Sequence, residues 1–183
     1  SVSGLREGNT VLFNGIPARD VDFIDAAVGA APGETVLLVE MPPGAEGNNP
    51  REWYGQALSW FAEGDATAAG RDYAGRALVA MPGGWQGVRV EVRTLSAMLE
   101  GFDRVDLADL DVQGGEADAV QEAIGALTAK VGRLHIGTHS REIEARLASI
   151  LGPAGWRCLR AWPCLRWNRT EFGWIRFNDG VQT

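Results

Sequence analysis

The stretch from Val105 to Glu116, Val-Asp-Leu-Ala-Asp-Leu-Asp-Val-Gln-Gly-Gly-Glu, runs an apolar segment into two glycines with carboxylates on either side. A strand that stops at Asp111, Gln113 and Glu116 leaves hydrogen-bond acceptors at its C-terminal end, where open α/β sheets bind ligands. His139 follows the next strand-like segment and should emerge at the same edge. An imidazole has the pKa range of a general base for a hydroxyl, and a carboxylate can orient or deprotonate one. Each residue has a structural alternative. Asp111 could cap the following helix, Glu116 could be a first-turn acid complementing the helix dipole, and a lone histidine is more often structural. Asp111, Glu116 and His139 could together hold a hard divalent ion, but their spacing is not specific to a metal and none is expected. With His135 and His139 as the only histidines, a multi-histidine metal site is nearly excluded.

The elements that must position these groups are legible as periodicities. Val21–Ile24 and Thr35–Glu40 read as short strands and as sheet neighbours, the second ending at Pro42-Pro43-Gly44. Residues 44–87 are broken by glycine and proline. Asn49-Pro50-Arg51-Glu52 nevertheless marks a helix start, and Trp53, Ala57, Trp60 and Phe61 recur behind it at helical spacing, as an aromatic-faced lid would. Val88–Val92 and Val105–Val112 read as strands, with a short helix capped by Thr94 between them. Val120, Ile124, Leu127 and Val131 place a helix over residues 117–131, and Arg133–Gly137 is a further strand. Ser140 caps a last helix with Ile143, Leu147, Ile150 and Leu151 on its inner face. This alternation predicts an α/β fold with a mostly parallel sheet and right-handed crossovers. Trp156–Trp162 and Phe172–Phe177, with no helix between them, should form an antiparallel pair at its end. Trp162, Trp167 and Trp174 read as sheet packing or interface, with stacking on a sugar ring as the other use.

At 183 residues and 45% hydrophobic, the chain is expected to be a single domain with a real core. A net charge of -7 argues against a nucleic acid or an anionic membrane as the main partner and favours a small neutral or cationic ligand. No apolar run reaches the roughly 20 residues that cross a bilayer, and Ser1–Asn9 lacks the pattern of a signal peptide, so a cytoplasmic location is expected. Cys158 and Cys164 do not form a CxxC pair and are expected to be buried free thiols.

The motif Asp111-Val112-Gln113-Gly114-Gly115-Glu116 resembles that of the FkbM family of S-adenosylmethionine-dependent methyltransferases, in which an apolar strand leads into Asp-hydrophobic-Glu/Gln-Gly-small-Glu. The likeness runs along nearly the whole chain in order. It takes in Asn14-Gly15-Ile16, Ala26-Ala27-Val28-Gly29, Trp53-Tyr54-Gly55-Gln56, Thr94-Leu95, Ile136-Gly137-Thr138-His139-Ser140, Gly155-Trp156, Gly173 and Asp179-Gly180-Val181-Gln182. The Gly-rich turn and the ribose-binding acid of such enzymes precede what this chain contains. Gly83-Gly84-Trp85-Gln86-Gly87 does not replace them, because it lies before a strand and opens no helix. The resemblance therefore implies a Rossmann-like class I methyltransferase sheet without its N-terminal cofactor-binding strands.

By that resemblance the chain transfers methyl from S-adenosylmethionine to a hydroxyl of a sugar or secondary metabolite. Asp111 would orient or deprotonate the acceptor and favour the cationic donor, His139 would assist as base, and Glu116 would hold neighbouring groups of the acceptor. Asp25 and Ala26 would meet the adenine, and Trp53, Tyr54, Gln56 and Gln113 the acceptor. The partner would be a small hydroxylated molecule, with self-association left open. A different class stands beside this one: a non-catalytic α/β interaction module derived from a methyltransferase, using an acidic surface for protein contacts.

Overall fold

The computed structural model describes residues 12–13, 16–17, 24–40, 67–73, 75–112, 114–177 and 179–183. β1 (Leu12–Phe13) and β2 (Ile16–Pro17) form a small antiparallel ladder. A five-stranded sheet follows from β3 (Ala26–Val28), β4 (Gly33–Glu40), β5 (Thr67–Tyr73), β6 (Arg76–Ala80) and β7 (Gln86–Arg93). β7 organises it, and its sequence shows why: Val88 and Val90 are buried while Arg89 and Glu91, which alternate with them, are exposed, the period-2 pattern of a half-covered strand. β4 pairs antiparallel along β7 from Gly33↔Val92 to Glu40↔Gln86, whereas β3 joins it in parallel at residues 91–93 and β6 antiparallel at residues 86–88.

Of the strand expected at Val21–Ile24, Ile24 is described and lies outside any strand; the strand that follows it, β3, is not the neighbour of β4. Ala27 and Gly33 both register on Val92, so β7 lies between β3 and β4. Residues 67–80 of the expected excursion are the β5–β6 hairpin of this sheet. The lid helix expected behind Asn49 lies outside the described residues, as do Val21–Phe23.

The second sheet carries the candidate chemistry. Its order is β10-β13-β9-β8, from β8 (Ala108–Leu110), β9 (Leu134–Thr138), β10 (Ala161–Trp162) and β13 (Gly180–Gln182). β8 and β9 are parallel and joined by the crossover helix α2 (Glu116–Lys130); β13 runs antiparallel to both β9 and β10. Among the described residues, parallel pairing is confined to β8–β9, β3–β7 and the bridge Val105↔Val131, so the fold is α/β but not mostly parallel. The expected late strand pair is also re-paired. β11 (Trp167–Thr170) and β12 (Gly173–Arg176) make their own hairpin, while β10 pairs with the C-terminal β13. A tight turn brings β11 and β12 together locally, whereas β10 finds its partner only through β9.

Helix periodicity translates directly into packing. α1 (Leu95–Leu99) starts at Thr94, whose Oγ1 accepts from the Ala97 N–H at 3.2 Å; α3 (Arg141–Leu151) starts at Ser140, whose Oγ accepts from the Ile143 N–H at 3.2 Å. Val120 and Leu127 of α2, Leu147 of α3 and Ile136 of β9 are within 1% of complete burial in one cluster, which Leu95, Leu99, Leu110 and Leu134 extend. Of the two thiols, Cys164 is buried as expected and Cys158 is exposed. No helix among the described residues is long and apolar enough to cross a membrane.

Gly180 fastens β13 beside the candidate site. A β-carbon there would collide with Glu144 Oε1 and Thr138 Oγ1, and Glu144 Oε1 already accepts from Thr138 Oγ1 at 3.1 Å and the Cys164 N–H at 2.7 Å. Gly180→Ala is expected to destabilise the protein by about 1–3 kcal/mol, read as a lowered unfolding midpoint, because the buried Thr138 cannot yield. An unchanged midpoint would show that this corner is looser than described.

Candidate functional site

Parallel pairing of β8 with β9 sets Leu110 opposite Ile136, so Asp111 and Gly137 come next on neighbouring strands. The carboxylate of Asp111 lies against Gly137, where a β-carbon would stand 3.6 Å from its Cγ. After Asp111 the chain turns, with the Gly115 N–H donating to Val112 O at 3.4 Å, and α2 begins at Glu116. Gly114 sits at φ 100°, a conformation that favours glycine. In this turn the Gly114 N–H points at Glu116 Oε1, 3.0 Å away, and the side chain folds back under its own helix start.

His139 completes the cluster from the end of β9. Its Nδ1 lies 2.6 Å from Glu116 Oε1, and its Nε2 lies 3.4 Å from Asp111 Oδ1. Exposure grades along the three: the Glu116 side chain is 0% exposed, that of His139 19%, that of Asp111 64%. A fully buried carboxylate thus sits behind the imidazole and a solvated one in front of it. Because ionised Glu116 can only accept, it fixes the proton of neutral His139 on Nδ1 and leaves Nε2 as the basic atom facing Asp111.

The electrostatics follow. Burial pushes the Glu116 carboxyl up, but hydrogen bonds from His139, the Gly114 N–H and its own N–H, with the charge of His139, together outweigh it and hold the group below its ordinary value of 4.5. The hydrogen bond to Glu116 raises His139 above 6.5 against the effect of burial, with the charges of Glu116, Asp111 and Asp179 adding to it. Glu116 Oε2 is buried with no hydrogen-bond partner among the described residues. One donor atom from each of Asp111, Glu116 and His139 lies within 4.8 Å of the others, a spacing from which a metal ion could also be held.

The placements of the expected site residues differ. Asp111, Glu116 and His139 are brought together at one sheet edge. The expected role of Glu116 in holding the acceptor does not agree with its complete burial; it touches His139 and its own turn instead. Asp25 and Ala26 belong to the other sheet and stand at the beginning of β3, whereas the sequence placed them after a strand end. Asp25 Oδ2 accepts from Arg76, whose other Nη donates to Arg89 O at 3.0 Å, so the acid expected at the adenine is held by a guanidinium. Trp53, Tyr54, Gln56 and Gln113 lie outside the described residues. Asp179 entered the sequence analysis only as part of the family likeness and without a role, since only the pairing of β13 with β9 brings its charge to bear on His139.

A cavity of about 530 Å³ opens at the other end of β9, lined by Leu134, Leu151, Trp156, Cys158 and Thr183 among others. Its described lining holds no carboxylate or imidazole, so it lacks the acid–base groups gathered at His139.

Comparison with known proteins gives one informative match. A "Putative methyltransferase" of Jannaschia sp. (strain CCS1) is 40% identical over 52 residues, which cover 28% of this chain and 19% of that protein. The aligned stretch thus spans about a fifth of the relative's length, and it supports a relationship to methyltransferases. No protein-family profile matches the chain, and no solved structure matches it.

Proposed function

We propose that this chain is the acceptor-side part of an S-adenosylmethionine-dependent O-methyltransferase of the FkbM type, with a Rossmann-like class I sheet, acting in the cytoplasm on a hydroxyl of a sugar or secondary metabolite. The observation that carries the proposal is the Glu116–His139–Asp111 relay at the C-terminal ends of two parallel strands. The methyltransferase-named relative and the motif from Asp111 to Glu116 support the same reading.

The donor set fits a sulfonium on charge: an exposed Asp111 beside His139 makes the edge acidic, and a cation is favoured there. S-adenosylmethionine supplies an electrophilic methyl carbon when bound. His139 Nε2 takes the proton of the acceptor hydroxyl, Glu116 Oε1 holds Nδ1–H and stabilises the imidazolium that forms, and Asp111 orients the hydroxyl beside Nε2. This is the logic by which a buried carboxylate steers a catalytic histidine without itself being protonated. Asp25 has no part in the proposal, because an adenine amine would compete with Arg76 for it.

Asp111→Asn in the longest natural form of the protein is expected to reduce methyl transfer to bulk hydroxyl acceptors by at least about 100-fold with the unfolding midpoint unchanged, since Asp111 is solvated and outside the core. Unchanged turnover would remove Asp111 from the mechanism. The Asp25–Arg76 pair is also what a non-catalytic interaction module would show, its nucleotide-facing acid being used structurally. Calorimetry of the same protein with S-adenosylmethionine separates the two readings: binding supports the enzyme, and no heat at saturating donor supports the module.

A further inference from the structure

The β11–β12 hairpin carries a surface that the proposed chemistry does not use. Its register sets Trp167 opposite Arg176 and Trp174 opposite Arg169, so these four side chains share one face in a diagonal pattern of aromatic and guanidinium. All four are exposed, Trp167 at 64% and Trp174 at 66%. The opposite face is mixed, with Ile175 36% exposed across from a buried Asn168. Asn168, 7% exposed, donates through Nδ2 to Pro163 O and Arg166 O, both at 3.0 Å. At the tip Phe172 is 85% exposed. Residues 156–176 hold five arginines against the single acid Glu171, in a chain whose net charge is -7.

The hairpin is rooted at the candidate site. The chain enters it through Cys164, whose N–H is held by Glu144 Oε1 at 2.7 Å, the same oxygen that accepts from Thr138 immediately before His139. The Leu165 N–H donates to Phe177 O at 2.9 Å, closing the base, and the chain leaves through Asp179, whose charge acts on His139, to Gly180 paired with Thr138.

We propose that this face binds an anionic sugar chain, a polymer carrying carboxylates, and presents one of its hydroxyls to the edge of β9. Indole faces stack on the CH faces of pyranose rings, and guanidinium forks pair with carboxylates in two-pronged geometry. Alternation of the two along a ladder matches a ligand whose apolar ring faces and charges also alternate. A lipid surface matches less well. It would need a contiguous apolar tip, whereas Glu171 stands beside Phe172 and the arginines interrupt the tryptophans. A duplex nucleic acid, with about one charge per 1.7 Å of axis and its base faces stacked on one another, offers the two tryptophans no ring face. The hydroxyl-presenting role rests on the methyltransferase reading; the binding itself does not.

Binding of a fluorescent oligogalacturonate to the protein, measured without donor, tests the surface. Saturable binding that weakens with salt is expected, with neutral dextran oligomers at least about tenfold weaker. Trp167→Ala with Trp174→Ala should weaken binding by about tenfold or more and keep its salt dependence, and Arg169→Ala with Arg176→Ala should weaken it as much and flatten the salt dependence. Both are exposed pairs, and unchanged unfolding midpoints identify folded variants. Absence of oligogalacturonate binding, variants that bind like the parent, or preferential binding to phosphatidylglycerol vesicles or single-stranded RNA would each overturn the proposal. Because no turnover is read, an inactive protein that binds leaves the surface standing, and an active one that does not bind overturns the surface alone.

Discussion

His139→Asn is expected to lower kcat for methyl transfer by about 10²–10⁴, the usual weight of a positioned general base. The imidazole is the one group in the cluster that can accept a proton near neutrality, and Glu116 presents its Nε2 to the acceptor side. KM for the acceptor should change little, since Asp111 remains to orient the hydroxyl. The substitution also leaves Glu116 as a buried charge without its ring partner, so the carboxyl is expected to take up a proton at higher pH than in the parent. His135→Gln, at the start of the same strand with its Nδ1 on Thr183 Oγ1, is the matched control and should retain activity. Loss of kcat in the control but not in His139→Asn would reverse the assignment.

Glu116→Gln has the second-largest expected effect and acts on both stability and rate. Replacing the buried carboxylate removes a charge-assisted hydrogen bond and is expected to cost about 1–3 kcal/mol, or roughly 2–4 °C of Tm for each kcal/mol in a domain of this size. The pH dependence has a definite sign. The raised His139 pKa stabilises the fold fully below its unfolded value of 6.5, and that contribution is lost as pH rises through the folded value. The lowered Glu116 pKa stabilises above 4.5, and that contribution is lost as pH falls through its folded value. The parent should therefore be most stable between those limits relative to Glu116→Gln, with the difference shrinking on either side. In activity, His139 of the variant becomes a weaker base that deprotonates earlier: the rising limb of the kcat profile moves to lower pH, and its plateau falls. A profile superimposable on the parent's would show that Glu116 only caps α2.

What the sequence revealed about this site was what is encoded locally. Val120, Leu127 and Leu147 fall on one face of their helices because the 3.6-residue period is written in the chain, and Thr94 and Ser140 stand where unpaired N–H groups need an acceptor. The strand–helix–strand run from Ala108 to Thr138 allows one simple geometry, a parallel pair with both ends at one edge, and that puts Asp111 near His139. What escaped it was non-local. Nothing near Gly180 announces that it inserts beside Thr138, and nothing near Val92 announces that it separates β3 from β4. The back position of Glu116 was hidden for a different reason. A first-turn acid ordinarily faces solvent, and only the Gly114 conformation, together with a histidine arriving from β9, makes a buried carboxylate tenable.

The most direct measurement of the central claim is the titration of the His139 imidazole by nitrogen-resolved NMR in the parent protein and in Glu116→Gln. The account predicts a midpoint above 6.5, a neutral form protonated on Nδ1, and a fall in the midpoint when Glu116 is replaced. A midpoint at or below 6.5, a proton on Nε2 in the neutral form, or no response to the substitution would contradict it.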